Sequence, residues 1–193
     1  PRTCFDEDPD AFGVHHVVLD SVHIHLNHRD PKDPAFNPDT DSNGLYIGEG
    51  GDSQAPIAVE DVLVEDDLVN FGRVIVQAEV GAGGQHRVRN VRFRRTVVKD
   101  AYQDARAFGL FVHGVDGLLV DECAIDHVQH LQVPRARPTG EDHSIYLQSD
   151  TRNAIVRRAG VKDGFMGVTT EDTPYFLLSE FARQYRWTDI SDA

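Results

Sequence analysis

Three side chains of this chain belong to types that transfer protons near neutral pH. They are His113, His143 and Tyr146, and each lies in a short apolar segment. Imidazole and phenol groups serve enzymes as general bases and acids when their surroundings tune their proton affinity. We therefore take these three residues as the candidate catalytic groups. The alternative for each of them is an ordinary surface position.

The same segments align further residues in two columns. One column contains Tyr46, Ile75, Phe111, Tyr146 and Thr169, and the other contains Gly48, Gln77, His113, Gln148 and Glu171. If this face points inward, its rings form a core stack, and this is the interpretation that we prefer for Phe111. If it points outward, aromatic rings and amides are suited to stacking on sugar rings and bonding to their hydroxyls. The candidate substrate-binding residues are Tyr46, Gln77, Arg135, Arg137 and Gln148, the two arginines as ligands of carboxylates.

A histidine-rich segment near the start suggests a metal site. His23 and His25 share one face of a strand, and His28, Asp30, Asp33, Asp39 and Asp41 follow. Two imidazoles with carboxylates are ligands of Zn²⁺ and other divalent ions. Their spacing matches no specific metal motif. No cofactor is certain from the sequence, and a divalent metal ion is the candidate that these residues suggest.

Two common kinds of site have no motif in the sequence. No segment has the pattern of a serine nucleophile elbow, so a Ser-His-Asp triad cannot be assigned. The glycine-rich run from Gly81 to Gly84 lacks the following Lys and Ser/Thr of a phosphate-binding loop.

The elements that carry the candidate residues are repeated. Phe108 to His113, followed by Asp116 to Asp126, has the same pattern as His143 to Gln148, followed by Asn153 to Asp163. Each copy is a short alternating strand, a turn and a second strand. Related first strands occur at 44–47, 73–76 and 167–170, and related second strands at 18–24, 58–64, 92–98 and 176–181. Such internal repetition predicts an all-β parallel solenoid of about six coils, with a polar insertion at 129–142.

Charges support this register. The second strands align Glu60-Asp61, Arg94-Arg95, Asp121-Glu122, Arg157-Arg158 and Ser179-Glu180, which gives alternating acidic and basic positions. A further column reads His25, Glu65, Lys99, Asp126 and Lys162. Parallel strands lie about 4.8 Å apart, so each charge would lie between opposite charges of the neighbouring coils.

These coils resemble the right-handed parallel β-helix proteins of the pectate-lyase-like superfamily over residues 14–181. The most similar piece is His143-Ser144-Ile145-Tyr146-Leu147 followed by Asn153-Ala154-Ile155-Val156-Arg157, with Ser144 where the family usually has Gly. The resemblance implies a right-handed β-helix and a carbohydrate-active enzyme. A lyase or epimerase of a uronic acid polymer removes the C5 proton and neutralises the carboxylate, which suits His, Tyr and Arg side chains. No cluster of three carboxylates supplies the Ca²⁺ site of pectate lyases.

Length and composition set the remaining expectations. We expect one β-helix domain at 14–181, an acidic lead-in at 1–13 and a tail or cap at 182–193. Because the chain begins with Pro1, we expect a processed product or part of a longer chain. The two cysteines, Cys4 and Cys123, are too few for a disulfide framework, and Cys123 is predicted to be a core residue.

The chain is strongly acidic. It has 32 acidic and 19 basic residues, a formal net charge of −13, and only three lysines. This charge argues against nucleic-acid and anionic-membrane partners. No apolar run is long enough to insert into a membrane. An Asp-rich, Lys-poor composition is typical of proteins from concentrated salt, and a GC-rich genome produces the same bias.

Two functions follow as expectations. The first is a carbohydrate-active enzyme that cleaves or epimerises an acidic polysaccharide. The second is a non-catalytic β-helical module of a viral fibre, spike or cell-surface protein that binds glycans or spaces other domains. Both place the protein outside cells or on a cell or virion surface. Both have a polysaccharide or surface glycan, further parts of a longer chain, or identical copies as partners.

Overall fold

The described part of the protein consists of parallel β-strands and contains no helix. The computed structural model describes residues 13–26, 30, 32–36, 43–48, 58–80, 84–103, 107–130, 142–148, 150–164, 166–170 and 177–179. Apart from Gly13, the predicted lead-in and tail therefore lie outside the described residues, as do Cys4, Arg135 and Arg137.

Sixteen strands follow one another along the chain. They are β1 (Val14–Asp20), β2 (His23–His25), β3 (Asn43–Gly48), β4 (Val59–Glu65), β5 (Leu68–Asn70), β6 (Arg73–Gln77), β7 (Val88–Arg94), β8 (Val97–Gln103), β9 (Phe108–His113), β10 (Val115–Asp121), β11 (Ala124–His130), β12 (His143–Leu147), β13 (Arg152–Arg157), β14 (Gly160–Gly164), β15 (Met166–Thr170) and β16 (Leu177–Ser179).

Every third strand belongs to the same sheet. Sheet A has the order β1-β4-β7-β10-β13-β16, sheet B has β2-β5-β8-β11-β14, and sheet C has β3-β6-β9-β12-β15. All neighbouring strands in the three sheets are parallel. The chain thus passes through A, B and C in turn. The predicted all-β, solenoid-like stack of parallel strands is confirmed.

The repeat contains three strands, and the prediction of two strands per repeat was wrong. The predicted second strand of 92–98 covers the end of β7 and the start of β8, with a corner at Arg95 and Thr96. The alternation of apolar and polar residues does not reveal this corner, because apolar residues continue on both sides of it. Arg95 adopts a left-handed backbone conformation, φ 48°, which turns the chain without a Gly or Pro.

The core is made of apolar columns that run from strand to strand. In sheet A, Val64, Phe93, Val120 and Val156 pair in register and are at most 2% exposed. Sheet C contributes the column of Val76, Val112 and Leu147, all fully buried. Cys123 is a buried free thiol, as predicted, and burial raises its pKa to about 11.

Left-handed residues recur at fixed positions of sheet A. One such position is occupied by His16, Asp61, Asn90, Gly117 and Asn153, and a second by Ser21, Asp66, Arg95, Glu122 and Arg158. A non-glycine residue in this conformation costs about 1 kcal/mol or more. This conformational cost is tolerated because neighbouring strands bend at the same level and remain hydrogen-bonded to one another. The backbone hydrogen bonds therefore continue through the corner, as from Arg95 N to Asp121 O at 3.0 Å.

The predicted charge ladder exists, but its register at β4 was wrong. Arg94, Asp121, Arg157 and Ser179 are aligned as expected. The residue aligned with Arg94 on β4 is Glu65, five positions after the predicted Glu60. Val59 and Val64 both point into the core, so a shift by five residues keeps an apolar residue inside and cannot be detected from hydrophobicity. The further column consequently contains Asn70 where Glu65 was predicted.

A second charge ladder lies at the other end of the sheet A strands, and the sequence reading missed it. His15, Glu60, Arg89, Asp116 and Arg152 are paired in that order. The Arg152 guanidinium donates to Asp116 at 2.9 Å. In both ladders, β4 and β10 carry acidic residues and β7 and β13 carry basic ones.

Asp121 holds the first ladder together. Its side chain is 3% exposed and accepts hydrogen bonds from Arg157, at 2.7 Å, and from Arg158. Burial alone would raise the pKa of the Asp121 carboxyl. The hydrogen bonds and charges of the two arginines outweigh burial and lower the pKa below its ordinary value.

The corner between sheets A and B also buries an acid that has no cationic partner among the described residues. Asp67 is 2% exposed, and its Oδ1 accepts a hydrogen bond from Val22 N at 2.6 Å. Its other oxygen, Oδ2, is buried without a hydrogen-bond partner. Burial raises the pKa of Asp67, and the Val22 amide offsets this only in part. The charged form is therefore disfavoured in the folded protein.

The first prediction concerns Arg158→Glu. The new carboxylate would face Asp121 and Glu122, so we expect a loss of about 1–3 kcal/mol in the free energy of unfolding. The loss should be larger at low salt, because salt screens like-charge repulsion. Denaturant titrations in low and in molar salt measure it, and Arg158→Gln separates loss of the cation from repulsion. An equal loss at both salt concentrations for Arg158→Glu would contradict this role of the ladder.

The second prediction concerns the pH dependence of stability at Asp67. Because its folded-state pKa is raised above 3.8, its stabilising contribution is complete below that value and is lost as the pH rises through the raised pKa. Asp67→Asn does not titrate. Its free energy of unfolding relative to the unmodified protein should therefore rise as the pH increases from about 4 through the raised pKa of Asp67.

Asp66→Asn is the matched control. Arg95 lowers the pKa of Asp66 through a hydrogen bond, so the stabilising contribution of Asp66 is present above its ordinary pKa and fades as the pH falls through the lowered value. The two variants should show opposite slopes of relative stability against pH. Equal slopes would rule out a buried, proton-retaining Asp67.

Candidate functional site

The outer face of sheet C gathers most of the candidate residues. In β9 the side chains at the first, fourth and sixth positions, Phe108, Phe111 and His113, are half-buried. In β12 the same pattern occurs at His143, Tyr146 and the following Gln148. The neighbouring Leu110 and Val112 are buried in the core. The sequence did not decide whether this face points inward or outward, and in the structure it points outward. The core position preferred for Phe111 was wrong.

Three columns make up this face, which we name the C strip. The first contains Phe108 and His143, with Arg73 at the start of β6. The second contains Tyr46, Ile75, Phe111, Tyr146 and Thr169, and the third contains Gln77, His113 and Gln148. The second column is aligned as predicted. In the third, Gln77 pairs with His113, and Gln148 continues β12 beside it, since Gln148 N bonds Val112 O at 2.8 Å.

Aromatic rings form a continuous cluster on the C strip. His143 lies 4.7 Å from Tyr146 between ring centroids, and their planes differ by 20°. Phe108 is nearly parallel to both, at 5.8 Å from His143 and 5.6 Å from Tyr146. Phe111 contacts Phe108 at 5.2 Å and meets Tyr146 edge-on at 5.8 Å. Two of the three candidate catalytic residues thus belong to one stack of rings.

Hydrogen bonds fix the position of His143. Its Nδ1 lies 2.9 Å from the Thr169 hydroxyl on the next strand. Its backbone N donates to Ala107 O at 2.8 Å, and the buried Asp142 accepts from Ala107 N at 3.3 Å. These contacts attach the start of β12 to the start of β9. The ring is therefore held from both neighbouring strands.

His113 lies at the edge of the same strip. It is half-buried, in register between Gln77 and Gln148, and two residues beyond Phe111. Its Nδ1 is buried without a hydrogen-bond partner. A buried polar atom of this kind costs about 1–3 kcal/mol, and such costs are more often retained where a group has a function.

The remaining substrate-binding candidates are more dispersed. Tyr46 is 44% exposed, but the buried Ile75 separates it from Phe111 in the column. Arg135 and Arg137 lie outside the described residues, in the segment that ends immediately before Asp142. Gln77 and Gln148 flank His113.

The sequence reading missed two members of the strip. Phe108 contacts three other rings, and Arg73 donates through Nε to Asn43 Oδ1 at 2.8 Å. Strict alternation assigns Phe108 to the opposite face from Phe111. The strand has two consecutive inward residues, Gly109 and Leu110, and this extra inward position brings Phe108 outside. The Gly at this position was the available signal.

His23 and His25 lie on sheet B, away from the C strip. Both are exposed, their rings meet edge-on at 5.6 Å, and His25 also contacts Phe71 at 5.1 Å. Within the part of the chain that the structure describes, no group of three His, Cys, Asp or Glu side chains is arranged to hold a metal ion. His28, Asp39 and Asp41 of the predicted metal site lie outside that part.

A second group of titratable residues, not predicted, lies on sheet B. Tyr102 donates to Asp100 Oδ1 at 3.2 Å, and His127 Nδ1 lies 3.1 Å from Asp126. Burial and the Asp100 charge raise the pKa of Tyr102 above its ordinary range. The phenol therefore remains protonated at neutral pH and acts here as a hydrogen-bond donor.

No family model, curated protein or solved structure matches this chain. Among the described residues there is also no helix long and apolar enough to cross a membrane.

The third prediction tests how the strand bend positions Phe108. A methyl group at Gly109 would overlap the Ile125 side chain and lie 2.7 Å from Ser144 O. We expect Gly109→Ala to lower the free energy of unfolding by about 1–3 kcal/mol. Ser144 lies at the same position of the next strand, and its buried hydroxyl has no hydrogen-bond partner.

Ser144→Gly is the matched control for this bend. It removes the unpaired hydroxyl, while Gly adds backbone entropy to the unfolded state, so the net change should be within about 1 kcal/mol. Thermal unfolding and denaturant titration measure both variants. Equal stability of Gly109→Ala and the unmodified protein would show that the bend does not require a residue without a side chain.

Proposed function

We propose that this protein is a carbohydrate-active β-helix protein that cleaves or epimerises an acidic polysaccharide on the C strip. The observation that carries this proposal is the ring stack of Phe108, His143 and Tyr146 on the outer face of sheet C, with His143 held by Thr169. It combines sugar-stacking surface with two proton-transfer groups.

Binding of the polymer is assigned to the whole strip. Aromatic rings stack on the apolar faces of sugars, and amides bond to their hydroxyls. Phe108 and Phe111 supply rings beside the catalytic pair, and Gln77 and Gln148 supply amides on either side of His113. Tyr46 extends the binding surface two strands further.

Recognition of carboxylates is assigned to arginines. Arg73 is the first residue of β6, the strand next to β9 in sheet C, and precedes Val74, which pairs with Leu110. A guanidinium pairs with a carboxylate through two parallel hydrogen bonds. Arg135 and Arg137 precede His143 in sequence and are proposed to serve the same purpose. These cations make an acidic polymer a better substrate than a neutral one, despite the net negative charge of the chain.

The reaction is proposed to begin at C5 of a uronate. His143 Nε2 takes the C5 proton, since Nδ1 is engaged by Thr169, while an arginine stabilises the enolate-like charge on the carboxylate. In a lyase, the electron pair forms the C4–C5 double bond, the C4–O bond breaks, and the Tyr146 hydroxyl protonates the departing oxygen. In an epimerase, a proton returns to C5 from the opposite side. His113 is the second acid–base candidate.

The handedness of the coils and their number are part of the same proposal. We assign the right-handed sense and about six coils of the pectate-lyase-like superfamily, because three parallel sheets visited in turn are compatible with that architecture. A polysaccharide substrate also implies a location outside the cell or on a cell or virion surface. A divalent ion at His23 and His25 is not needed for the chemistry described.

A non-catalytic module of a fibre, spike or cell-surface protein is the second candidate. It is favoured by the part of the strip formed by Tyr46, Gln77 and Gln148, which can bind sugars but offers no side chain that exchanges protons near neutral pH. In this case the strip holds a glycan without changing it.

The fourth prediction is activity on uronate polymers. The protein is assayed against acidic and neutral polysaccharides in low and multimolar salt, with absorbance of unsaturated ends, reducing ends and polymer pull-down as readouts. We expect unsaturated ends from an acidic polymer. His143→Ala and Tyr146→Phe should each lower the rate at least a hundredfold, while Tyr146→Phe keeps the ring and should preserve binding.

His23→Ala is the control, because this exposed histidine lies on sheet B and not on the strip. Loss of activity in His23→Ala as well would contradict a site on sheet C. Reducing ends alone would indicate a hydrolase. Binding without cleavage, lost in Phe108→Ala but kept in Tyr146→Phe, would support the non-catalytic module. If the protein neither binds nor cleaves any of the polymers, the proposal is overturned.

A further inference from the structure

The outer face of sheet A carries charge in bands. Each band is one strand with the same sign at both ends: β4 has Glu60 and Glu65, and β7 has Arg89 and Arg94. On β10 the two residues are Asp116 and Asp121, and on β13 they are Arg152 and Arg157. Acidic and basic bands therefore alternate along the stack.

An apolar column runs between the two ladders. It contains Val18, Leu63, Arg92, Leu119 and Ile155, which pair in this order. Val18 is 62% exposed and Ile155 is 36% exposed, and both stand on the outer side of the sheet. Arg92 is exposed, and its two neighbours in the column are the apolar Leu63 and Leu119.

We propose that sheet A is the interface of a homodimer of this chain, in which the two stacks of strands run in opposite directions. The two-fold axis lies in the interface, runs along the strands and passes between β7 and β10. It places β7 on β10 of the partner subunit, and β4 on β13 of the partner subunit. Every basic band then faces an acidic band.

The individual contacts follow from this geometry. Because the axis preserves strand direction, Arg89 faces Asp116 of the partner subunit. Arg94 lies at the level of Asp121 of the partner subunit, whose side chain is 3% exposed and remains covered by its own arginines. Arg92 faces Leu119 of the partner subunit, and its long side chain extends toward Asp116 of the partner subunit. Leu63 faces Ile155 of the partner subunit, so the apolar column is covered.

The arginines of the ladders retain the exposure that such contacts need. The side chains of Arg94, Arg152 and Arg157 are 43%, 39% and 43% exposed although they already form ion pairs within the chain. A second carboxylate can therefore bind each of them and convert the isolated pairs into networks, which stabilise more than single surface pairs.

The charge bands exclude the other face-to-face dimer. A two-fold axis along the stack would place each strand on its own copy, so that acidic β4 would face acidic β4 of the partner subunit. Like-charge contacts of this kind oppose association. Four or five strands about 4.8 Å apart and about 20 Å long make a face of roughly 400 to 480 Å² per copy, and the total of roughly 800 to 950 Å² is the size of a weak, transient interface.

The fifth prediction is a salt-sensitive dimer, measured by sedimentation equilibrium. Arg92→Glu should weaken association at least tenfold, because it places a carboxylate near Asp116 of the partner subunit, whereas Arg92→Lys keeps the positive charge and should dimerise. In the described residues Arg92 forms no ion pair within its own chain, so both variants should fold alike, which circular dichroism checks. The C strip lies on another sheet, so failure of this test leaves the proposed function unaffected.

Disulfide trapping tests the orientation. In a Cys4→Ser background, the double variant Leu63→Cys/Ile155→Cys should form covalent dimers on oxidation. The two positions lie three strands apart, too far for a bond within one chain. Leu63→Cys alone should not cross-link. A monomer at all concentrations, a dimer unaffected by Arg92→Glu, or cross-linking of Leu63→Cys alone would each overturn the proposal.

Discussion

The structure depends on one constraint: each strand pairs in register with the strand that precedes and follows it in the same sheet. Every side chain consequently has the same two kinds of neighbour, the equivalent residues of the adjacent strands. Buried positions become apolar columns such as Val64, Phe93, Val120 and Val156. Outer positions become ladders of charge or clusters of rings. Even unfavourable backbone conformations are repeated, since a left-handed residue in one strand is matched by another at the same level of the next.

The same constraint determines what could be predicted from the sequence. The column from Tyr46 to Thr169 was predicted because its apolar neighbours are aligned without gaps. The strand β4 was misplaced by five residues because Val59 and Val64 satisfy the core equally well. Phe108 was missed because the bend at Gly109 adds an inward residue that alternation does not anticipate. Whether the ring column faced inward or outward could not be decided, because it depends on which sheets close around the core.

The candidate site was only partly predictable for a related reason. His143, Tyr146 and His113 were chosen by chemistry and lie on one face, although they come from β9 and β12, which are separated in sequence by a long insertion. Arg73 was not chosen, since nothing in its local sequence distinguishes it from the arginines of the ladders. Its place on the strip depends on the pairing of β6 with β9. Local sequence identifies reactive side chains, whereas register decides which of them meet.

The alternation of charge also restricts how such a chain can change in length. If one three-strand repeat were deleted between β4 and β13, two bands of the same sign would become neighbours, and both ladders would carry like charges side by side. Loss or duplication of two repeats together would keep the alternation intact. Homologues of different length should therefore differ by even numbers of repeats within this region, and an odd difference should be accompanied by reversal of the charges on one side of the change.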